Sequence, residues 1–319
     1  MVALIRVIPG EDSGYRRVRA GNGFRYLDAQ DEPAPEADRD RIRDLVIPPA
    51  WRDVWIAADP LAHIQVVGTD EAGRRQYLYH PLWRVRRDRR KFQRSLRLAE
   101  ALPAARRRVT IALRSEGLTR DRALAVAFRL LDDAALRIGS ERYLARNGSR
   151  GLSTLQRRDA SVDGDSVALR FPAKSGRTAE IEVVDAALAE AVAEFAVGAP
   201  RAPLLAYRKG RCRVRITSSE VNTHVREVTG DAYSAKDFRT LHGTIVAADA
   251  LAQLGCFDSR SDRRKAERLA VQATATALGN TPTVARNSYI DPRVFREYNR
   301  GRILDRSVSP ESAIRRLLG

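Results

Sequence analysis

The sequence GNTPTVARNSYI, residues 279–290, sets the arrangement of the second half of the chain, because it predicts that one helix ends and another begins almost at once. Upstream, in residues 261–278, apolar side chains recur at helical spacing. Gly279 then stands where a left-handed helix stop is expected. Asn280 is therefore predicted to lie at a forced corner between two helices.

The second helix is predicted to begin with Thr281 as its N-cap and Pro282 as its first residue. Its last turn then carries Arg286 and Tyr289, which are three residues apart and can share one face. A tyrosine near a helix end is more often a half-buried packing residue than a nucleophile. This stretch alone leaves both interpretations of Tyr289 open.

The composition indicates a globular protein with a polyanionic partner. Its 57 Lys and Arg residues against 40 Asp and Glu residues give a formal net charge of +17 and a pI of about 10.7, which favours nucleic acid as the partner. With 319 residues, the chain has room for two domains. No apolar run approaches the ~20 residues of a membrane span, and the N-terminus is unlike a signal peptide, so we expect a cytoplasmic location.

The cysteines and histidines do not indicate a disulfide scaffold or a metal site. The two cysteines do not form a disulfide scaffold, and the four histidines lack metal-ligand spacing, so no metal site is expected. Lysine is rare in this Arg-rich chain. The five lysines are Lys91, Lys174, Lys209, Lys236 and Lys265. A desolvated lysine can give up a proton near neutral pH and an arginine cannot, so these are candidates for proton transfer, although most are expected to be solvated surface residues.

The chain is predicted to divide near a basic run at residues 84–91. Residues 1–88 form a β-rich domain, in which turn residues at 20–23 and at 68–73 each separate two runs typical of strands. Residues 89–319 form a larger domain that is mainly helical, with a small antiparallel sheet.

The start of the helical domain is predicted to contain three helices. Residues 92–105 and 109–116 form the first two, and Thr119 caps a third that runs to Ile138. Arg137 would then lie in the last turn of the third helix, where the helix dipole also favours a cation.

Strand patterns follow, with a turn that places Lys174 at the tip of a hairpin. A capping pattern at Ser234 and Asp237 then opens a long helix whose first turn carries Lys236 and Arg239. Two cations beside the free N–H groups of a helix start indicate an anion-binding corner.

These segments together resemble the poxvirus-like type IB DNA topoisomerases, including their bacterial members. The resemblance runs over nearly the whole chain and rests on segments in the same order, namely Gln76–Tyr79, Arg137–Tyr143, the Lys174 hairpin, Lys236–Thr240 and Gly279–Tyr289. It implies an α+β fold in which the β-rich domain and the mainly helical catalytic domain close round duplex DNA. It also implies that Tyr289 attacks a backbone phosphodiester and stays joined to the 3′ phosphate while supercoils relax.

The resemblance also implies a role for each side chain of the site. Arg137 and Arg239 would hold two phosphoryl oxygens, as permanent cations can. Lys174 would protonate the leaving 5′ oxygen, and Lys236 would assist in that proton path. Asn280 stands where poxvirus enzymes have a histidine, and its amide can donate a hydrogen bond but cannot titrate.

Five other residues are candidates for DNA contact, namely Gln76, Tyr77, Tyr79, Ser140 and Tyr143. Aromatic and amide side chains on a strand beside arginines suit contacts with bases and sugars, but tyrosines that merely cover a small sheet would give the same pattern. Ser140 stands where the viral proteins tend to be basic, so we do not expect a close copy of their target-sequence preference.

Two other classes of protein share part of this pattern. A tyrosine recombinase would use the same Arg, Lys, Arg and Tyr, but it usually has a His-x-x-Arg motif where this chain has Lys236 three residues before Arg239, and its N-terminal part is commonly helical. A non-catalytic nucleic-acid-binding protein would explain the charge but not the ordered set ending at Tyr289. We expect an enzyme that acts as a monomer in association with the nucleoid, without ATP, an obligatory metal or another cofactor.

Overall fold

The computed structural model describes residues 2–319, apart from the side chain of Ser175. The chain separates into two compact units, Met1–Arg90 and Lys91–Gly319. The first is a small antiparallel sheet with one complete helix and the start of a second, and the second unit is mainly helical with two small sheets. The predicted α+β fold class is confirmed. Within residues 2–319, no helix is both long and apolar enough to cross a membrane.

The first unit is a five-stranded antiparallel sheet that packs against helix α1, Glu36–Asp44. Its strands are β1 (Gly14–Ala20), β2 (Gly23–Leu27), β3 (Arg52–Ala57), β4 (Ile64–Thr69) and β5 (Arg75–Tyr79), in the spatial order β2-β1-β3-β4-β5. Both predicted hairpins are present, and Gly21 takes the positive φ, 56°, that the first turn requires. The core of the unit lies between the sheet and α1, where Ile42 and Ile56 are fully buried.

Helix α2, Pro81–Leu113, begins in the first unit and continues into the second. The prediction of two separate helices in this region is wrong. Pro103 lies inside α2, where it removes a backbone hydrogen bond at a cost of about 3 kcal/mol. The helix continues because buried side chains recur at helical spacing on both sides of the proline. They include Leu98, Leu102 and Val109.

The second unit is built around helix α3, Arg120–Ala134, with its predicted N-cap, Thr119, in place. The remaining elements are α4 (Glu141–Asn147), β6 (Ala160–Asp163), β7 (Ser166–Pro172), β8 (Thr178–Val184), α5 (Ala186–Ala196), β9 (Ala206–Lys209), β10 (Cys212–Arg215), α6 (Ser218–Thr229), α7 (Ala235–Leu254), α8 (Arg260–Ala277), α9 (Pro282–Ser288), α10 (Pro292–Asn299) and α11 (Pro310–Leu318). α3 packs against α5, α6 and α7, and most of its residues are buried. A helix enclosed in this way fixes the positions of its neighbours.

Phe128 of α3 lies at the centre of this packing, with 1% of its surface exposed and its ring 5.3 Å from that of Phe238 on α7. We predict that Phe128→Ala lowers the free energy of unfolding by about 3–5 kcal/mol, because it removes buried apolar surface and leaves a cavity. Chemical denaturation followed by circular dichroism measures the change. Ile111→Ala is the control, since Ile111 is 75% exposed and should lose under about 0.5 kcal/mol. Equal losses would contradict this account of the core.

Candidate active site

Arg239 is the most enclosed of the predicted site residues, with 6% of its surface exposed. Its Nη1 donates to the carbonyl of Ala135 at 2.6 Å, and its Nη2 donates to the carbonyl of Leu278 at 2.8 Å. These two residues are the C-caps of α3 and α8, where helix dipoles place partial negative charge. Arg239 therefore ties the ends of two helices to the first turns of α7.

Arg137 lies beyond α3, so its predicted position in the last turn of that helix is wrong. The helix ends at Ala134 because Ala135 takes a left-handed conformation, with φ 47°. In the segment that follows, the carbonyl of Arg137 accepts a hydrogen bond from the N–H of Leu152 at 2.9 Å. The guanidinium Nη2 donates to Oδ1 of Asn280. Because the chain leaves α3 before Arg137, the side chain of Arg137 reaches the corner between α8 and α9.

The predicted corner between α8 and α9 is confirmed. Gly279 has the left-handed φ of 57°, which stops α8. Thr281 caps α9 by accepting the N–H of Val284 at 3.3 Å, and Pro282 is the first residue of that helix. Tyr289 follows α9 directly as its C-cap. The two ends of this short helix therefore hold two of the predicted site residues.

Asn280 is held on two sides within the corner. Its N–H donates to the carbonyl of Ala275 at 2.8 Å, and its Oδ1 accepts from Arg137. Its Nδ2 is buried and has no hydrogen-bond partner among the residues that the structure describes. A buried donor without a partner is unfavourable, so an acceptor that reached this amide would be bound well.

The main chain of Tyr289 is anchored to α7 by residues that were not predicted from the sequence. The hydroxyl of Thr244 accepts the N–H of Asp291 at 3.2 Å, and its single hydrogen has two carbonyl acceptors within reach, that of Thr240 at 2.8 Å and that of Tyr289 at 3.1 Å. Gly243 allows this approach, because a Cβ there would lie 2.9 Å from the carbonyl oxygen of Tyr289. The sequence signal that could have predicted this contact was a glycine inside a long helix, because such a glycine often marks close packing.

The side chain of Tyr289 lies beside permanent positive charge. The guanidinium carbon of Arg239 is 5.1 Å from the centre of its ring. Burial raises the pKa of the Tyr289 phenol, but the positive charges of Arg239 and Arg137 outweigh burial, so this pKa lies below its ordinary value. Burial and then the like charge of Arg137 also lower the pKa of Arg239. Two cations held together in this way favour an anion between them.

A cavity of about 440 Å³ brings four predicted site residues together, namely Arg137, Lys174, Arg239 and Asn280. Lys174 reaches it from the turn between β7 and β8, as the hairpin prediction requires. Arg177, at the other end of the same turn, also lines the cavity. Several cations and an amide in one concave site suit an anionic ligand such as a phosphate.

Other predicted features lie apart from the lining of this cavity. Tyr289 is not among its described lining residues and adjoins the site through Arg239. Lys236 is exposed on the first turn of α7 and is also absent from the described lining.

Arg286 forms an ion pair with Glu267 at 3.6 Å, and its guanidinium carbon lies 4.8 Å from the centre of the Phe295 ring. Within residues 2–319, no group of three or more His, Cys, Asp or Glu side chains could hold a metal ion.

Two of the candidate DNA-contacting side chains of the first unit, Tyr77 and Tyr79, stack on each other on β5. The rings of Tyr77 and Tyr79 are 5.9 Å apart and nearly parallel, at 17°. Arg75 and Arg87 each approach one of these rings, at 5.9 and 5.1 Å. Gln76 points its Nε2 to Asp70, at 2.8 Å. A pair of stacked aromatic rings, each with a guanidinium group beside it, suits contact with nucleic acid.

Ser140 and Tyr143 lie at the start of α4, in the second unit. Ser140 is the N-cap, and its hydroxyl accepts the N–H of Tyr143 at 3.3 Å. Tyr143 is 60% exposed. Ser140 thus has a structural role in capping, whereas Tyr143 is available to a ligand.

We predict that Arg239→Gln raises the pKa of Tyr289, because the substitution removes the nearest positive charge while burial remains. Tyrosine labelled with ¹³C at Cζ would report the titration by NMR, with Tyr289→Phe to assign the signal. Arg286→Gln is the matched control, since Arg286 precedes Tyr289 by three residues but pairs with Glu267. A similar rise in both variants, or in neither, would contradict the assignment of the shift to Arg239.

Comparison with known proteins gives two family matches. Residues 80–307 match the catalytic core of eukaryotic DNA topoisomerase I, and residues 23–70 match the N-terminal domain of bacterial DNA topoisomerase IB. The chain is also 26% identical over 287 residues to DNA topoisomerase 1B of Acanthamoeba polyphaga mimivirus, an alignment that covers 87% of this chain and 85% of the viral protein.

These matches agree with the geometry of the site and with the resemblance seen in the sequence. The catalytic-core match alone spans well over half of the chain. It includes every residue that lines the cavity, together with Tyr289. The chain therefore belongs to the type IB DNA topoisomerase family, of the bacterial and viral branch.

Proposed function

We propose that the enzyme relaxes supercoiled duplex DNA through a 3′-phosphotyrosine intermediate formed by Tyr289. The phenol oxygen forms a bond to phosphorus while the bond from phosphorus to the 5′ oxygen breaks, and the reverse reaction reseals the strand. One phosphodiester replaces another, so no ATP is needed. The observation that carries the proposal is the gathering of Arg137, Lys174, Arg239 and Asn280 round one cavity, with Tyr289 beside Arg239.

The proposed roles follow from the chemistry of each group. Arg137 and Arg239 bind the phosphoryl oxygens, on which negative charge accumulates in the transition state. Asn280 donates its Nδ2–H to an oxygen, and support for this comes from its Oδ1, which is already occupied by Arg137. The lowered pKa of Tyr289 eases loss of the phenol proton, which passes to solvent as the oxygen bonds to phosphorus.

Lys174 is the proposed general acid. The leaving 5′ alkoxide is strongly basic and takes a proton as the bond to phosphorus breaks, which a lysine can supply and an arginine cannot. The turn between β7 and β8 brings Lys174 to the same cavity as the two arginines. Lys236, exposed on α7, is proposed to assist in the proton path.

Duplex DNA is the proposed partner of both units. The net charge of +17 favours a polyanion, and the stack of Tyr77 and Tyr79 with two arginines supports base and sugar contacts. Gln76, Ser140 and Tyr143 are proposed to add contacts. One chain supplies every proposed catalytic group, so we propose a monomeric enzyme.

We predict that the purified enzyme relaxes supercoiled plasmid in EDTA without ATP and that denaturant traps it covalently on DNA. Tyr289→Phe should abolish both relaxation and the adduct, because it removes only the nucleophilic oxygen, and it should leave DNA affinity within about threefold. Gel assays of topoisomers and of labelled DNA joined to protein measure these outcomes. An adduct that survived in Tyr289→Phe would move the nucleophile elsewhere, and a strict requirement for ATP or Mg²⁺ would contradict the mechanism.

We predict that Lys174→Ala slows cleavage of ordinary DNA by about 10²–10⁴-fold. The same variant should cleave a substrate with a 5′-bridging sulfur at close to the wild-type rate, because a thiolate leaves without a proton. Single-turnover cleavage with the two substrates measures the effect. Lys265→Ala serves as a lysine control, since that residue lies outside the cavity lining. Equal slowing on both substrates would remove Lys174 as the acid.

A further inference from the structure

The turn that carries Lys174 also carries a second cation, Arg177. The N–H of Ala173 donates to the carbonyl of Arg177 at 2.7 Å and closes the turn, and Gly176 within it has a positive φ of 71°. Lys174 and Arg177 therefore stand at the two ends of one short turn that joins β7 to β8. A displacement of either end moves the other.

Arg177 joins this turn to the opposite side of the cavity. Its Nη1 donates to the backbone carbonyl of Asn280 at 3.3 Å, across 103 positions of sequence. Both residues line the cavity that also contains Arg137 and Lys174. This hydrogen bond therefore connects the hairpin of β7 and β8 to the corner between α8 and α9.

The corner at Asn280 is a firm anchor for this bond. Asn280 is 8% exposed, its N–H is bonded to Ala275, and its side-chain oxygen accepts from Arg137. By contrast, Lys174 is exposed and its side chain has four rotatable bonds. The position of its ammonium group relative to the arginines therefore depends on where the turn is held.

We propose that Arg177 is a positioning residue, which holds the turn against the Asn280 corner so that Lys174 meets the leaving 5′ oxygen. The proposal rests on the proposed function, in which Lys174 is the general acid. Arg177 acts on protonation of the leaving group through Lys174, without contact with the reacting atoms. Arginine suits this task because its fork of donors is planar and permanently charged.

The test compares single-turnover cleavage by Arg177→Ala on ordinary DNA and on DNA with a 5′-bridging sulfur. We expect cleavage of ordinary DNA to slow on the order of tenfold or more, because misplacement of a catalytic group by about 1 Å is costly. Cleavage of the sulfur substrate should stay within about threefold of wild type, since that leaving group needs no acid. Arg177→Lys, which keeps the positive charge and can still donate a hydrogen bond, should recover part of the rate.

A double-mutant cycle with Lys174→Ala provides a second readout. If Arg177 acts through Lys174, the double variant should cleave ordinary DNA no more slowly than Lys174→Ala alone. Arg170→Ala is the matched control on the same hairpin, because Arg170 pairs with Glu180 across the strands with both side chains well exposed. That variant should match wild type on both substrates.

The outcomes separate this inference from the proposed function. If the sulfur substrate rescues Lys174→Ala but not Arg177→Ala, or if the double variant is slower than either single one, then Arg177 acts directly on the phosphate or on folding, and the inference is wrong while the function stands. An unchanged rate for Arg177→Ala also overturns the inference. If the sulfur substrate fails to rescue Lys174→Ala, the acid assignment itself falls, and the role of Arg177 falls with it.

Discussion

The site depends on one buried guanidinium group, that of Arg239, held between the C-termini of two helices. Removing a charge from water costs several kcal/mol unless it is paired. Here the carbonyls of Ala135 and Leu278 compensate, because they carry the negative ends of the α3 and α8 dipoles. The segment with Arg137 leaves one of these helix ends, and the corner with Asn280 leaves the other. The two hydrogen bonds of one guanidinium group therefore set the spacing of the groups proposed to bind phosphate.

The same helix that carries Arg239 also anchors the tyrosine. Four and five residues later in α7, Gly243 and Thr244 contact the main chain of Tyr289. The side chain of Tyr289 lies against Arg239, whose charge acts with that of Arg137 to outweigh burial and lower the pKa of the phenol. Permanent cations therefore serve two purposes, since they attract a phosphate and make the phenol more acidic. The titratable Lys174 stands apart on the hairpin, where Arg177 connects its turn to the rigid corner.

Local signals predicted much of the second unit because they involve neighbours in sequence. The caps at Thr119 and Thr281, the left-handed Gly279 and the hairpin of Lys174 each result from the conformational preferences of a few residues. Local signals failed where burial overrode them. Pro103 lies inside α2 because the apolar stripe continues on both sides of it.

The sequence by itself determined the α+β class, the hairpins, the corner before Tyr289 and, through the order of its motifs, membership of the family. The tertiary structure alone decided that α3 ends early enough to release Arg137, that the guanidinium of Arg239 points inward to two helix ends, and that Gly243, Thr244 and Arg177 hold the site together. These features join residues far apart in the chain, up to 104 positions for the bond from Arg239 to Ala135. Neither helical spacing nor turn preference carries information over such distances, because those signals describe only what a residue does to its near neighbours.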